Sequence, residues 1–543
     1  MNQPNSSLLR PSAPRRRPLD ELFDDGVELP ADAHRVSVSG ITLDSRGVSE
    51  GDLYVALSGS RVHGARFAGQ AAEQGAVAIL TDAAGRDEAA ASGLPVVVAR
   101  DARDAMADAA ATLFGLPTHE LLMFGITGTN GKTTTCFLLE AALEAAGRRV
   151  GSIGTIGFRL EGKELPSDRT TVTTPESPDL QALLATMLER GADSVAMEVS
   201  SHALALQRVD HIGFDVAAFT NLGRDHLDFH PSIEDYFEAK ARLFQAAHCR
   251  VAVVNIDDEH GRILASRLTD TGPVEAPMPR LVTTGFAESD HQLLEVRPQD
   301  GGTFVRCRGP YGERSFTIDL PGDYNARNAV MALAMATEAG LGADDAIEGL
   351  RHAQVSGRMQ LVTLPGSRPD GRGAPRVHVD FAHTPQAIES ALQAANPGSG
   401  QVVAVLGAGG DRDEAKRAPM GRAAAEGAGL VVVTDDNPRT EDPDQIRAAV
   451  VAGAREVPGV EVLEQAGRSR AIRVALQQAG PGDVVLVLGK GHEKGQIVGD
   501  QVHRFDDVEV VRQVWNALCL VGDEVPGDKT AGDQPAGEGE DAR

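Results

Sequence analysis

The stretch LLMFGITGTNGKTTT, residues 121–135, decides the fold of this chain. An apolar strand pattern runs into a glycine-rich turn, and the helical pattern CFLLEAALEAAG (136–147) follows it. Such a turn exposes backbone N–H groups and a helix N-terminus to an anion. Lys132 adds a positive charge for the β- and γ-phosphates of a nucleotide, and Thr133 offers a hydroxyl to Mg²⁺. The stretch therefore predicts an α/β domain built around a phosphate site.

The turn departs from the phosphate-loop pattern GxxxxGK[ST] at one position, because Ile126 stands where that pattern has its first glycine. A glycine-rich turn with a surface lysine is the alternative. The order of strand, loop, Lys-Thr and helix favours phosphate binding, since each part lies where the pattern requires it. The predicted nucleotide-binding residues of the loop are Gly128, Thr129, Asn130, Gly131, Lys132, Thr133 and Thr134.

Composition narrows the class of protein. The chain has 543 residues, 42% hydrophobic and 24% charged, as expected for about three or four globular domains. A net charge of −26 argues against nucleic acid as a partner. The four cysteines form no CxxC pair, which fits a reducing cytoplasm. The N-terminus lacks the apolar core of a secretory signal, and no apolar run is long enough to cross a membrane. We therefore expect a cytoplasmic protein without membrane insertion.

Short Val/Ile/Leu runs alternate with Ala-rich helical patterns, which predicts α/β domains with mostly parallel sheets. Changes in pattern divide the chain into five parts. They are a loose N-terminal arm (1–34), a first domain (35–118), a central domain (119–357), a third domain (358–521) and a disordered acidic tail (522–543).

Further short motifs lie before and after the loop. They are LDSR (43–46), TTP (173–175), MEVSSHAL (197–204), FTNLGRDHLDFH (219–230), EAK (238–240), GDYNARN (322–328), SGR (356–358), DFAHTP (380–385), GGDRDEAKR (409–417), DDNPR (435–439) and GKGHE (489–493). Each is weak alone, but the ordered set is specific. Together with ITGTNGKTT (126–134), they resemble the Mur ligases, the ATP-dependent amide ligases of peptidoglycan precursor synthesis, over about residues 38–515.

The resemblance implies a three-domain α/β architecture: a UDP-binding domain, a central P-loop ATPase domain and a C-terminal Rossmann-like domain that binds an amino acid. It implies a ligase that joins an acid to an amino acid through an acyl phosphate, with ATP as substrate and Mg²⁺ as cofactor. Within the family, the sequence most resembles the enzymes that add the third residue of the stem peptide. Their other substrates are UDP-N-acetylmuramoyl-L-alanyl-D-glutamate and meso-diaminopimelate. We expect a monomer.

The segment SIEDYFEAKARLF (232–244) predicts a helix with Ser232 as its N-cap. Its apolar stripe includes Tyr236 and Phe244, and Lys240 falls on the same stripe. Lysines usually extend from such a stripe into water, which is the alternative interpretation. A desolvated amine has a lowered pKa and can act as a nucleophile. The resemblance implies that Lys240 is carbamylated by CO₂ to N6-carboxylysine and helps to hold Mg²⁺.

Two other metal candidates follow strand patterns. Glu198 ends the strand in SVAMEVS, and His226 follows AAFTNLGRD. Alone, Glu198 could cap a helix and His226 could be a satisfied polar residue of a turn. The resemblance implies that both bind Mg²⁺, although the ion prefers oxygen to imidazole nitrogen. The predicted catalytic residues are Lys132, Glu198, His226 and Lys240, and the predicted metal ligands are Thr133, Glu198, His226 and Lys240.

The resemblance also implies contacts to ATP and to the UDP-linked substrate. The further ATP contacts are Asn325, Arg358, Asp380 and His383; His383 could equally be a loop histidine. The contacts to the UDP-linked substrate are Leu43, Ser45, Thr173, Thr174, Ser200 and Arg208. Without the resemblance, LDSR would be interpreted as a strand-to-turn junction. The loop SRV (60–62) is expected near uracil, and His63 stands where many relatives carry Asp.

The stretch TDDNPRTEDP (434–443) follows the apolar run LVVV, so it lies where a buried strand ends. An arginine can bind a carboxylate through two parallel hydrogen bonds. The resemblance implies that Arg439 binds the carboxylate that diaminopimelate has and lysine lacks, while Arg412 binds the other carboxylate and Glu493 an ammonium group. The expected pocket residues are Arg412, Asp436, Asn437, Pro438, Arg439, Gly489 and Glu493. The alternative is a helix-initiating turn with Arg439 in solvent.

Other functions stay open at this point. A lysine-adding or muropeptide-recycling ligase would perform the same chemistry on another substrate. A catalytically dead nucleotide-binding regulator belongs to a different class. The presence of Lys132, Glu198, His226 and Lys240 argues against the regulator.

Overall fold

The computed structural model describes residues 10–12, 16–23, 26–59, 62–165, 173–226, 229–270, 278–299, 301–395 and 400–521. Ser60 and Arg61 of the expected uracil loop, the start of the arm and the tail 522–543 lie outside these ranges, and so do the predictions made for them. Contacts divide the chain into two compact units, 1–356 and 357–543. No helix within the described ranges is long and apolar enough to span a membrane.

The first part of unit one is a small α/β sheet domain. Its strands are β1 (Arg17–Pro18), β2 (Val27–Glu28), β3 (Ser37–Val38), β4 (Gly40–Thr42), β5 (Asp52–Ala56), β6 (Ala78–Thr81) and β7 (Val96–Ala99), and its helices are α1 (Ala68–Glu73), α2 (Arg86–Ala90) and α3 (Ala102–Leu113). Five strands form one sheet in the order β2-β7-β6-β5-β4, with β4 to β7 parallel. Asp101 caps α3 by accepting the N–H groups of Arg103 and Asp104.

Part of the N-terminal arm belongs to this domain, so the prediction of a loose arm over 1–34 is wrong for its second half. Leu19 and Leu22 lie on one 3-10 turn and are buried in the core of the five-stranded sheet. Earlier in the chain, Arg10 makes two hydrogen bonds of 2.8 Å to the buried carboxylate of Asp52. The polar composition indicated solvation, but two leucines on one face bury enough apolar surface to dock the segment.

The rest of unit one is a large sheet with helices on both faces. Its strands are β8 (Leu122–Thr127), β9 (Val150–Gly154), β10 (Gly157–Leu160), β11 (Lys163–Glu164), β12 (Ser194–Glu198), β13 (Phe214–Phe219), β14 (Cys249–Asn255), β15 (Arg280–Gly285), β16 (His291–Gln299), β17 (Gly302–Gly309) and β18 (Gly312–Ile318). The helices are α4 (Lys132–Ala145), α5 (Ser177–Glu189), α6 (Ser201–Ala205), α7 (Ile233–Ala241), α8 (Glu259–Thr269), α9 (Asp323–Glu338) and α10 (Ala343–Arg351). The strand order is β11-β10-β9-β12-β8-β13-β14-β15-β16-β17-β18.

The centre of this sheet is parallel from β9 through β12, β8, β13 and β14 to β15. One face is covered by α4, α9 and α10, which pack around Leu139, Val330 and Leu350. The other face carries a second core that includes Leu184 of α5 and Phe237 of α7. Because parallel strands end at the same edge, the loops after β8, β12 and β13 lie side by side, and this edge carries the phosphate loop.

The second unit is another three-layer α/β domain. Its strands are β19 (Gln360–Val362), β20 (Arg376–Asp380), β21 (Val402–Leu406), β22 (Leu430–Val433), β23 (Glu461–Glu464), β24 (Val484–Leu488), β25 (Gly495–Val498) and β26 (Gln501–Arg504), and its helices are α11 (Pro385–Ala395), α12 (Arg417–Gly427), α13 (Pro443–Ala454), α14 (Arg468–Gln478) and α15 (Asp507–Val521). The main sheet has the order β19-β20-β24-β21-β22-β23 and is parallel from β20 to β23. Two cores cover its two faces.

The three sheets with their helices confirm the predicted α/β class and its three-domain architecture. The strand predicted at LLMFGIT is present as β8, and the predicted alternation of short strands with helices is seen in all three domains. The division into two units falls between Ser356 and Gly357. The boundary expected between residues 118 and 119 stays a prediction.

Candidate active site

The loop between β8 and α4 has the backbone that a phosphate loop needs. Gly128 and Gly131 have φ angles of 147° and 86°, in the region that favours glycine. A methyl group on Gly131 would lie 2.6 Å from the Asn328 side-chain oxygen, so this glycine also permits close contact with α9. Asn328 in turn lies 3.4 Å from Asn325. The predicted ATP contact Asn325 is therefore linked to the loop through the side chain of Asn328.

Lys132, the first residue of α4, turns back over the loop. Its Nζ donates hydrogen bonds of 2.9 Å to the carbonyl oxygens of Gly128 and Thr129. The amine is therefore held at the loop itself, at the N-terminal end of the helix. A positive charge and a helix N-terminus at one place form an anion site, which is what the sequence motif predicts.

Glu198 lies beside this loop at the end of β12. It is almost completely buried, and its carboxylate accepts hydrogen bonds from the Thr133 hydroxyl at 2.9 Å, the Thr155 N–H at 2.8 Å and the Thr155 hydroxyl at 3.1 Å. Thr155 follows β9 and was missed by the sequence analysis, because no local motif marks it. The buried carboxylate and the Thr133 hydroxyl form a pair of hard oxygen donors, which suits Mg²⁺.

The segment 173–176 connects this carboxylate to the predicted substrate contacts. Thr173 lies 3.2 Å from the Thr155 hydroxyl, and the Thr174 hydroxyl donates to the Glu198 backbone oxygen at 2.9 Å. Thr174 Oγ1 also accepts the Ser200 N–H at 3.1 Å.

Arg208 reaches the same segment, since its guanidinium donates to the Thr174 backbone oxygen at 3.0 Å. It also pairs with Glu176 at 2.7 Å. The structure therefore brings Thr173, Thr174, Ser200 and Arg208 into one network, with Glu176 as an ion-pair partner that the sequence analysis did not identify.

Lys240 is buried on the apolar stripe of α7, and Ser232 caps that helix by accepting the Asp235 N–H at 3.0 Å. The Lys240 Nζ donates to the Gly128 oxygen at 2.8 Å and lies 4.5 Å from the centre of the Tyr236 ring. Burial, and next the nearby charge of Lys132, hold the pKa of Lys240 well below its usual value. The amine therefore lies at the phosphate loop and is poised to lose its proton.

His226 is less closely tied to the site. It has a φ angle of 52° and lies 3.5 Å from Asp225, with its ring edge-on to His202 and Tyr236. Within the described ranges, no group of three histidine, cysteine, aspartate or glutamate side chains is arranged to hold a metal ion. The assignment of His226 to a metal stays a prediction.

In the first domain, the predicted UDP contacts lie next to the five-stranded sheet. Ser45 is nearly buried, and its hydroxyl donates to the Gln70 side chain at 2.9 Å. Leu43 packs against the core of the sheet. His63 caps the turn before α1 and lies 3.1 Å from Asp82, so its ring is part of a local network.

In the second unit, the ATP contacts predicted at 358–383 lie together at the end of β20. Both Asp380 oxygens accept backbone N–H groups, from Met359 at 2.6 Å and from Ala382 at 2.8 Å. Burial raises the pKa of this carboxyl, and the charge of Arg358 opposes the change. The Arg358 guanidinium lies over the Phe381 ring at 4.6 Å. His383 is exposed, and its Nδ1 donates a hydrogen bond to the Phe381 backbone oxygen at 2.9 Å.

The predicted amino-acid pocket is built from two loops that bind each other, after β21 and after β22. The Gly410 N–H donates to the Asn437 oxygen at 2.9 Å, and Arg439 Nη1 donates to the Gly410 oxygen at 2.7 Å. A methyl group on Gly409 would lie 2.9 Å from Arg439 Nη1 and 3.9 Å from Arg412 Cγ. Both arginine side chains therefore come close to the bare backbone at Gly409.

The remaining predicted pocket residues lie beside this pair. Asp436 lies close to Gly489, because a methyl group on Gly489 would be 2.7 Å from Asp436 Oδ2. The Asn437 side chain donates to Glu493 at 2.8 Å. Pro438 accepts the Glu441 N–H at 3.1 Å through its backbone oxygen. The sequence analysis missed Lys490, which is fully buried and bonded to Asn437 and Glu493.

The phosphate loop at the carboxyl edge of a parallel sheet, with a buried carboxylate and two lysines, defines a nucleotide-dependent α/β enzyme of the P-loop type. Comparison with known families makes the class specific. The chain matches the Mur ligase family catalytic domain over residues 37–113, the Mur ligase middle domain over 126–336 and the Mur ligase glutamate ligase domain over 357–491. It belongs to the Mur ligase family, and is therefore an ATP-dependent ligase.

Individual relatives are similar in sequence to this chain over nearly its whole length. A UDP-N-acetylmuramoyl-L-alanyl-D-glutamate–2,6-diaminopimelate ligase of Streptomyces coelicolor is 46% identical, covering 93% of this chain and 97% of its own length. The ligase of the same name from Corynebacterium glutamicum is 44% identical, covering 88% and 93%. A solved structure of a ligase of that name superposes with a TM-score of 0.67 at 31% identity, covering 93% of this chain and 99% of its own. The family resemblance drawn from the motifs is confirmed.

Proposed function

We propose that this protein adds meso-diaminopimelate to UDP-N-acetylmuramoyl-L-alanyl-D-glutamate, with hydrolysis of ATP to ADP and phosphate, in peptidoglycan precursor synthesis. The main observation behind the proposal is that Arg412 and Arg439 both lie close to Gly409. Glu493 is bonded to the turn of Arg439 through Asn437. Two cations and a carboxylate suit an amino acid that has two carboxylates and an extra ammonium group. The relatives that carry this substrate in their names support the choice.

The reaction proceeds through an acyl phosphate. The phosphate loop and Lys132 hold the phosphates of ATP. The terminal carboxylate of the acceptor attacks the γ-phosphorus, the bond to the bridging oxygen breaks, and ADP leaves. The amine of diaminopimelate then attacks the acyl phosphate, and phosphate leaves from the tetrahedral intermediate. Arg208, already paired with the segment 173–176, would hold an anionic part of the acceptor. No nucleophile from the protein is needed, so the side chains bind, orient and neutralise charge.

The Thr133 hydroxyl and the Glu198 carboxylate would hold Mg²⁺, because they are adjacent oxygen donors next to the phosphate loop. When bound, the ion neutralises charge on the phosphates. As an ammonium group, Lys240 has no lone pair with which to bind the ion, and as a neutral amine it offers nitrogen where Mg²⁺ prefers oxygen. Carbamylation of Lys240 would replace a cation with a carboxylate-like group close to Gly128, and the lowered pKa of the amine favours that reaction with CO₂. We also place the enzyme in the cytoplasm, where ATP and UDP-linked precursors are made, and expect it to act as a monomer.

The test is the substrate dependence of phosphate release, with the product identified by mass. Purified protein with ATP alone should release little phosphate. Adding both the UDP-linked dipeptide and meso-diaminopimelate should release it in step with the tripeptide product. Equal release from ATP alone would contradict the ligase reaction. A lysine-containing product of equal yield would instead favour the lysine-adding alternative, and no product from either amino acid would favour the regulator.

A further inference from the structure

Lys490, the lysine of the GKGHE motif, is a buried cation whose three protons all have acceptors. Its exposed fraction is 0%, and its Nζ donates to Gly495 O at 2.6 Å, Glu493 Oε2 at 3.1 Å and Asn437 Oδ1 at 3.2 Å. An ammonium group has three donors, so this set uses all of them. A buried lysine is costly unless it is paired in this way, and such full pairing fixes the side chain in one position.

Two of those three acceptors belong to the proposed amino-acid pocket. Glu493 Oε2 accepts from Lys490 and also from Asn437 Nδ2, at 2.8 Å. In the described part of the chain, Glu493 Oε1 accepts no hydrogen bond, and the side chain is 36% exposed. One oxygen of the carboxylate is therefore used internally, and the other remains accessible to a ligand.

The Asn437 amide is fixed by the same contacts. Its oxygen accepts from Lys490 Nζ and from the Ile497 N–H at 2.9 Å, while its nitrogen donates to Glu493. Because two donors face the oxygen and one acceptor faces the nitrogen, only one of the two amide orientations is satisfied. Lys490 thus determines the position of a carboxylate and the orientation of an amide at the same time.

We propose that Lys490 is a positioning residue for the amino-acid substrate: it holds Glu493 and Asn437 in the arrangement that receives the ammonium group of the incoming amino acid. The inference rests on the proposed function of this pocket. It follows from the contacts of Lys490, since the side chain has no exposed surface with which to touch the substrate itself. Removing the amine takes away one of the two hydrogen bonds to Glu493 Oε2 and leaves the one from Asn437. The carboxylate is then held less firmly, and the substrate must restore its orientation on binding.

The test compares Lys490→Met with Lys494→Met. Methionine keeps the length of the lysine stem without its donors, and Lys494 is an exposed lysine of the same segment and serves as the matched control. We expect Lys490→Met to raise KM for meso-diaminopimelate about ten- to a hundredfold, the usual range for losing a hydrogen bond to a charged group. KM for ATP and for the UDP-linked acceptor should stay within about twofold. An unchanged KM for diaminopimelate, or an equal rise for all three substrates, overturns the inference.

A double-mutant cycle with Glu493→Gln distinguishes positioning from a general loss of structure. If Lys490 acts through Glu493, the double variant should raise KM for the amino acid little beyond Glu493→Gln alone. Additive effects overturn the inference. If Lys490→Met fails to fold, Lys490→Gln replaces it, because glutamine keeps an N–H donor at this position. The KM values of Lys490→Gln are then compared with those of Lys494→Met. A wild-type protein that makes no tripeptide refutes the proposed function, whereas an active wild type with an unaffected Lys490 variant refutes only the role of Lys490.

Discussion

Lys132 and Lys240 donate hydrogen bonds to the same acceptor, the backbone oxygen of Gly128, at 2.9 and 2.8 Å. Lys132 begins α4 and Lys240 lies in the last turn of α7, so the phosphate loop contacts two helices that are far apart in sequence. Two ammonium groups at one oxygen repel each other, and burial further disfavours the charge of Lys240. The shared acceptor therefore prepares one lysine for phosphate binding and the other for reaction as a neutral amine.

The first prediction concerns the reactivity of Lys240. Lys240→Ala should lose most ligase activity, and small carboxylic acids should restore part of it by supplying the lost anionic group. Exposed Lys163→Ala is the control and should behave as the wild type. In the wild type, mass spectrometry of the peptide that contains Lys240 should detect an added carboxyl group under CO₂. A variant with near-normal turnover at low Mg²⁺ would show that Lys240 has no such role.

The second prediction concerns stability, and its sign follows from the lowered pKa of Lys240. Between that lowered value and the ordinary value of 10.5, the unfolded chain binds more protons at this group than the folded chain does. The group therefore destabilises the folded state near neutral pH, and the penalty disappears as the pH approaches 10.5. Lys240→Met should therefore have a higher apparent midpoint of thermal unfolding than the wild type at neutral pH. The difference between the two midpoints should become smaller as the pH rises.

This measurement needs buffers free of CO₂, because carbamylation would remove the charge of the amine. A midpoint that falls in the variant at neutral pH would mean that the hydrogen bond to Gly128 and the contact with the Tyr236 ring outweigh the cost of burial. Lys240→Met also removes the amine, so we expect it to lose activity as Lys240→Ala does. Measuring both its activity and its stability separates what the lysine does for function from what it costs in stability.

The third prediction concerns Glu140, a buried carboxylate on the phosphate-loop helix α4. Burial raises its pKa from 4.5 to about 7, although Arg159 lies 3.3 Å away. The stabilising effect of a raised pKa is fully present below pH 4.5 and is lost as the pH rises through about 7. Glu140→Gln does not titrate. The free energy of unfolding of Glu140→Gln, relative to that of the wild type, should therefore rise between pH 4.5 and about pH 7, by at most about 3 kcal/mol.

Chemical denaturation of the wild type and Glu140→Gln at several pH values checks this prediction. The exposed Glu120→Gln should show no such trend and serves as the control. A difference between wild type and Glu140→Gln that stays constant from pH 4.5 to pH 7 would contradict the titration of Glu140 in this range.

Local patterns were sufficient for the parts of the site that one segment builds. The cap at Ser232, the place of Lys240 on the apolar stripe of α7 and the position of Glu198 at the end of β12 all follow from the residues within a turn or a strand. The stripe alone left open whether Lys240 is buried, and the structure shows that it is. The glycine-rich turn at 128–131 belongs to the same group, because its strand and helix are adjacent in sequence. These features depend on periodicity and capping, which the sequence states directly.

Other parts depend on contacts between distant segments and could not be predicted in this way. Thr155 meets Glu198 only because β9 and β12 pair in the sheet. In the sequence, Leu19 is an apolar residue within a polar arm, and its burial depends on contacts with the core of the five-stranded sheet. Lys490 is a lysine between two glycines in the motif, and its burial becomes visible only when the turn at 436–439 packs against it. Contacts between distant segments leave no pattern in the neighbouring residues from which they could be predicted.

The last prediction is that Arg439 sets the choice of amino acid. Its φ angle is 53°, and the turn is held by two backbone hydrogen bonds to the segment that includes β25, from Arg439 N to Ile497 O at 3.1 Å and from Gly499 N to Arg439 O at 2.7 Å. The guanidinium uses Nη1 to bind Gly410 O, and the same nitrogen lies close to Gly409. Backbone contacts thus fix the arginine in place before any ligand binds.

Arg439→Ala keeps those backbone contacts and removes the guanidinium. Losing one partner of a charge-assisted pair costs on the order of 2–5 kcal/mol, or about thirtyfold to several thousandfold in apparent affinity for meso-diaminopimelate. Lysine makes no such pair and should lose little. The ratio of kcat/KM for the two amino acids should therefore fall in Arg439→Ala and stay unchanged in the exposed control Arg455→Ala. If diaminopimelate keeps its full advantage in Arg439→Ala, the discriminating group lies elsewhere, and the turn at 436–439 serves only to begin α13.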